Sequence, residues 1–204
     1  QCIVLWSRLL REIPNSRLLF AGQIGKISQS KFEKWFCEER IKLSRIIFQP
    51  RVSRNEYYRL HHKVDVLLTA FPHSGSTTIA NALWMGVPSM IFSQDGDVTK
   101  KGGLVLSYAG LQDFCLKNED DFGAKGQVLA DNLTKLACIR TKLRKTFSTS
   151  EYCNPNAAAA SWEAGLRKIW KRWCSGLDPE PFKLKMEDLE YLSPRQPSSG
   201  VTDD

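Results

Sequence analysis

Apolar residues near the start of the chain fall at Leu5, Trp6, Leu9, Leu10 and Ile13, a spacing that places them on one face of a helix over residues 2–13. Pro14-Asn15-Ser16 breaks the pattern, and residues 17–21 read as a strand. Ser30 is placed to cap a second helix holding Phe32, Trp35 and Phe36, and residues 45–48 predict a second strand. Ser53 with Glu56 three positions on is a capping-box pair, opening a helix through Tyr57, Tyr58 and Leu60. Residues 64–69 (VDVLLT) form a nearly continuous apolar run, as expected of a fully covered parallel strand. Ile79, Ala80, Ala82, Leu83 and Trp84 then suit a helix that closes on Gly86, with Pro88 beyond it. A strand over 87–92, a short helix over 103–108 and a short strand over 114–116 follow. Long helices are predicted over 128–146 and, after Asn154-Pro155-Asn156, over 157–173.

This alternation predicts an α/β fold of right-handed strand–helix–strand units, with a parallel sheet covered by helices on both faces. One domain is expected over 1–175. The segment 176–204, with Pro179, Pro181, Pro194 and Pro197, is expected to be a disordered tail. The chain opens on a helix with no strand before it, and on Gln1 rather than Met, so it reads as half of a larger protein.

The most informative stretch lies between the 64–69 run and the helix after it. Ser74, Gly75, Ser76, Thr77 and Thr78 make a small, hydroxyl-rich turn with the helix taken to begin at Thr77. Backbone N–H groups and the positive end of the helix dipole make such a turn an anion site, although the dipole alone contributes only about 0.3–1 kcal/mol. Several donors must act together. Ser and Thr also cap helices in any protein, so the turn alone does not decide between the two readings.

Charge narrows the choice. The chain has 204 residues and a net charge of +7, with 42% hydrophobic and 25% charged residues, an ordinary globular composition. Seven acidic against three basic residues from Gly176 onward leave the body strongly basic, which would attract an acidic substrate such as a nucleotide. The basic clusters over 140–145 and 167–172 alternate with Leu143, Ile169 and Trp170, as solvated helix faces do, so nucleic acid is not the expected partner. No run of the sequence is long and apolar enough for a membrane helix, and no signal peptide is visible. Cysteines at 2, 37, 115, 138, 153 and 174 show no CxxC pair and no ligand-like spacing, so buried reduced thiols in a reducing compartment are expected, and no metal site. His61, His62 and His73 lack partners spaced for a triad or a metal.

Ligands of open α/β sheets bind outside the carboxyl ends of the strands. Three loops leave such ends: QPRVSRNEYYRL after Phe48, the SGSTT turn, and SQDGDVTKKGG after Phe92. With the blocks WSRLLREIPNSRL, RIIFQP, STTIANALWMGVP and LSYAGLQDF in that order, the chain resembles the C-terminal catalytic half of the O-linked N-acetylglucosamine transferase family. The resemblance runs from about Leu5 to Trp173. It implies the second of two facing Rossmann-like domains (the GT-B arrangement), usually behind tetratricopeptide repeats. It also implies metal-independent, inverting transfer of N-acetylglucosamine from UDP-N-acetylglucosamine to Ser or Thr of proteins in the cytoplasm or nucleus, with no cofactor.

Carried over residue by residue, the resemblance implies that the backbone at Val52 meets the uracil edge and that Arg54 lies over the base, where the family usually has Lys. Tyr57 stands where the family usually has His, and Ser76 replaces another His, while Thr77 and Thr78 match the family's diphosphate-binding threonines. Asn81 falls where an Asp binds the ribose. Arg54 as a solvated first-turn residue, Tyr57 as a core aromatic and Asn81 as an ordinary helix residue stay open beside these roles. The family's diphosphate lysine and candidate base lie upstream of the segment matching Gln1, so no catalytic residue is assigned within this chain, and it is not expected to catalyse transfer alone. Two other functions also stay open: a non-catalytic scaffold or pseudoenzyme of the same fold, and a different UDP-sugar enzyme.

Overall fold

Burial of the first apolar stripe organises the amino-terminal part of the chain. In the computed structural model, which describes residues 1–22, 25–92 and 97–190, helix α1 (Cys2–Glu12) buries Leu5, Trp6, Leu9 and Leu10. Strand β1 (Leu18–Ala21) pairs in parallel with β2 (Ile46–Gln49), Leu18 opposite Ile46 and Phe20 opposite Phe48. Trp6, Leu10, Phe36, Ile41 and Ile46 form a core cluster, with Phe20, Phe32, Phe48 and Leu68 packed against it. Phe20 lies at its centre: its ring stacks on those of Phe32 and Phe48, each at 5.4 Å, and meets Trp6 edge-on at 5.7 Å. Helix α2 (Lys26–Glu38) supplies Phe36. It starts earlier than the Ser30 cap suggests. Gly25 is the N-cap, and the Ser30 hydroxyl sits inside the helix, donating to the Lys26 carbonyl at 3.0 Å.

Helix α3 (Arg54–Leu60) opens on the expected capping box, with Ser53 N–H donating to Glu56 Oε2 at 3.0 Å and Ser53 Oγ accepting from the Glu56 amide. Strand β3 (Leu67–Leu68), helix α4 (Ser76–Trp84) and strand β4 (Ser89–Phe92) follow. Next come helix α5 (Asp97–Ser107), which starts ahead of the expected 103, and strand β5 (Cys115–Leu116). The second sheet is parallel, in the order β3-β4-β5. The fully covered strand is therefore β4, buried at all four residues, whereas β3 is short and half-buried because it is an edge strand of this ladder. The single helix expected over 128–146 is two, α6 (Glu119–Asp131) and α7 (Leu133–Ser148). Asn132 separates them, its side chain accepting from the Lys135 amide at 2.9 Å, an N-cap that the apolar periodicity does not register.

The chain forms two compact units, the first over Gln1–Ser150 and the second beginning at Glu151. That division falls ahead of the 175/176 boundary read from the sequence, because helix α8 (Pro155–Cys174) gathers the residues after it. Arg172 pairs with Glu180 at 2.7 Å, Lys168 pairs with Asp188 of the short helix α9 (Met186–Glu190) at 3.1 Å, and Lys168 also lies over the Phe182 ring. The remainder of the expected tail, 191–204, lies outside the described residues. No helix among the described residues is long and apolar enough to cross a membrane.

Candidate functional site

Helix α4 is firmly held on one side and open on the other. Ile79, Ala82 and Leu83 are fully buried. At its end, Gly86 N–H bonds the Leu83 carbonyl and Val87 N–H the Ala82 carbonyl, the paired closure of a Schellman motif. Gly86 takes φ +73°, and a Cβ there would lie 2.9 Å from the Arg140 carbonyl oxygen, so only glycine fits. At the start, Gly75 is the N-cap with φ +68°, so the helix begins at Ser76, one residue ahead of the expected Thr77, and no side-chain cap is formed among the described residues. The hydrogen-bond ladder begins with Ile79 N–H on the Gly75 carbonyl at 3.1 Å. The amides of Ser76, Thr77 and Thr78 therefore precede that ladder. Thr77 and Thr78 are exposed, Ser76 and Asn81 half-buried, and Thr77 and Asn81 share a face one turn apart.

The turn leading into α4 is anchored from several elements. Thr69 is buried, and its N–H and Oγ1 both donate to the Met90 carbonyl. Phe71 N–H donates to Cys2 Sγ at 3.1 Å, and its ring meets Phe92 edge-on at 5.4 Å. Ser74 does not behave as a turn hydroxyl facing a ligand. It is 4% exposed, its Oγ has no hydrogen-bond partner among the described residues, and its Cβ would lie 2.8 Å from a Cβ placed on Gly102 of α5. Close packing of α5 on the turn leaves that hydroxyl buried against Gly102. His73 is exposed.

The second group of predicted residues follows the carboxyl end of β2. Val52 is half-buried in the loop, Arg54 is the exposed first residue of α3, and Tyr57 is half-buried one turn on. Beneath Tyr57 lies His61, 7% exposed, its Nδ1 at 3.0 Å from the Tyr57 carbonyl and its ring edge-on to the Tyr57 ring at 5.0 Å. A carbonyl can only accept, so Nδ1 carries the proton. Burial, ahead of any other influence, pushes the His61 pKa below the ordinary 6.5, and the nearby His62 and Arg140 act in the same direction. The sequence names His61 only as a histidine without partners spaced for a triad or a metal; its one local signal for this contact is its place four residues after Tyr57.

Arg140 is also not the solvated residue expected of its cluster. From α7 its guanidinium donates to the carbonyls of Val64 at 2.5 Å, Asp65 at 2.9 Å and His61 at 3.5 Å, tying down the link between α3 and β3. In the third loop, residues 93–96 and the Lys100 side chain lie outside the described residues, and Lys101 is exposed. A cleft of about 260 Å³ on α8 is lined by Ser161, Trp162, Gly165, Leu166, Ile169 and Leu184. It offers no charged group to hold a diphosphate.

The buried His61 gives a pH dependence of stability. A histidine with a lowered folded pKa favours folding fully above its unfolded value and loses that contribution as the unfolded chain takes up the proton. The melting temperature is expected to fall as pH drops below about 6.5, and to fall less in His61→Asn. Thermal melts between pH 7.5 and 5.5 check this, and equal slopes for the two proteins would contradict it.

Residues 1–161 match the family model for glycosyl transferase family 41. Over 190 residues the chain is 28% identical to the probable UDP-N-acetylglucosamine–peptide N-acetylglucosaminyltransferase SPINDLY of Arabidopsis thaliana, covering 91% of this chain and 21% of the relative. It is 26% identical over 187 residues to the probable transferase SEC of the same plant, covering 91% of this chain and 19% of the relative. Among solved structures, a K341M mutant of the Thermobaculum terrenum O-GlcNAc transferase superposes with a TM-score of 0.77 at 23% identity, covering 86% of this chain and 34% of that one. That likeness shows the fold. The chain spans about a fifth of the length of these curated relatives. With the family model matching most of its length, the chain belongs to glycosyl transferase family 41.

Proposed function

We propose that this chain is the nucleotide-sugar-binding half of a protein O-glycosyltransferase that uses UDP-N-acetylglucosamine, inverts at the anomeric carbon and needs no metal or other cofactor. The observation that carries the reading is the start of α4, where exposed Thr77 and Thr78 stand on three amides that precede the helix ladder, just past the carboxyl end of a parallel strand. These groups and Ser76 hold the diphosphate, Asn81 accepts from a ribose hydroxyl, and Val52, Arg54 and Tyr57 form the uracil side. An acceptor Ser or Thr oxygen attacks the anomeric carbon while the bond from that carbon to the diphosphate oxygen breaks. UDP leaves with the electron pair, and donors at α4 stabilise its growing charge in the manner of an oxyanion hole.

The acceptor proton passes to a base outside this chain, so the whole enzyme also needs the amino-terminal half of the fold. Tetratricopeptide repeats, acceptor proteins and a cytoplasmic or nuclear location belong to the same proposal. The names of the relatives support the donor and the peptide acceptor.

A non-catalytic descendant of the fold is the second reading, favoured by Tyr57, Ser76 and Asn81, which depart together from the polar residues usual in the family. Calorimetric titration with UDP separates the two. Micromolar binding that is unchanged by EDTA is expected, and no heat at millimolar UDP would reject the nucleotide-sugar site.

A further inference from the structure

Helix α3 is only seven residues long, too short to hold its own shape in water. Its amino end is fixed by the Ser53–Glu56 capping box, and its carboxyl end depends on His61, the C-cap residue. That imidazole makes two contacts with Tyr57: Nδ1–H holds the Tyr57 carbonyl, and the ring edge walls one side of the Tyr57 phenol. His61 is in turn fixed from α7, because Arg140 holds its carbonyl together with those of Val64 and Asp65. A partly buried chain of contacts thus runs from Arg140 through His61 to Tyr57, a half-buried aromatic on the proposed base side of the site.

We propose that His61 is a positioning residue for the base-side subsite, setting the place and direction of Tyr57 against the nucleobase of a nucleoside diphosphate. This rests on the nucleotide-sugar reading above. His61 touches no ligand itself. Its effect reaches the base only through Tyr57, so it should separate base binding from diphosphate binding. The start of α4 is secured independently, by buried Ile79, Ala82 and Leu83 and by its own Schellman closure. Removing the imidazole leaves the Tyr57 carbonyl without its buried donor and frees the phenol ring. An Asn at the position offers a side-chain N–H toward the same carbonyl and restores part of the arrangement.

The test titrates UDP and inorganic pyrophosphate separately into the full chain and its variants. His61→Leu should weaken UDP binding by roughly tenfold while leaving pyrophosphate affinity within about twofold, because each 1.4 kcal/mol is a factor of ten and only the base side is disturbed. His61→Asn should recover to within about threefold of the parent, by the same arithmetic. In the Tyr57→Ala background, His61→Leu should weaken UDP no further, since the two substitutions remove one arrangement. Unchanged UDP affinity in both His61 variants would overturn the proposal. Equal loss for UDP and pyrophosphate would also overturn it, reducing His61 to a residue that merely keeps the unit folded. Full additivity with Tyr57→Ala would do the same. A parent chain that binds pyrophosphate and not UDP would reject the base-side subsite and His61's role in it, whereas binding of neither would reject the functional reading itself.

Discussion

Changing Thr77 and Thr78 together to Val is expected to weaken UDP binding by roughly a hundredfold or more while leaving the melting temperature almost unchanged. A hydroxyl donating to a charged oxygen contributes about 1.5–3 kcal/mol, and two such bonds together exceed the ~2.8 kcal/mol that a hundredfold change requires. Val keeps the branched shape of Thr, and both positions are exposed, so neither the packing of α4 nor its buried face is touched. The loss would therefore fall on affinity and spare the fold. Calorimetry beside a thermal melt reads both quantities. A dissociation constant within threefold of the parent would remove the threonines from the site.

The second large effect is on stability. Phe36 is 0% exposed in the cluster of Trp6, Leu10, Ile41 and Ile46, with its ring 5.9 Å from that of Phe20. Phe36→Ala removes a whole ring from a packed interior and is expected to destabilise the first unit by about 3–5 kcal/mol. For a domain of this size that is a drop of roughly 6–20 °C in melting temperature. Trp162→Ala removes a larger ring from a position 73% exposed and should shift the melt far less. If the two variants melted alike, the cluster around β1 and β2 would not be the core described here.

Much of the first unit could be read from local chemistry. The Ser53–Glu56 box, the Gly86 stop and the amphipathic face of α1 each depend on neighbours within a few residues, so spacing alone reveals them. What escaped the sequence depends on distant partners. The 64–69 run and the 87–92 run look equally apolar, yet only pairing order decides which strand is covered, and it is β4. Arg140 resembles its solvated neighbours until the carbonyls of Val64 and Asp65 meet it. Asn132 sits within an apolar periodicity that continues on both sides of it, so its cap is hidden.

The site divided in the same way. Thr77, Thr78 and Gly75 were visible as a hydroxyl-rich turn opening a helix, and their exposure at the start of α4 follows from that. Ser74 looked equivalent to its neighbours, and only the approach of Gly102 on α5 leaves it buried. His61 offered no motif at all; its burial and its bond to Tyr57 arise when α3 closes its last turn.

Amide chemical shifts of the isotopically labelled chain during a UDP titration test the account most directly. The account predicts that Ser76, Thr77 and Thr78 shift furthest and together, saturating at micromolar UDP, with smaller movements at Val52, Tyr57 and Asn81. Saturable shifts confined to other parts of the chain, with those three amides unmoved, would contradict it.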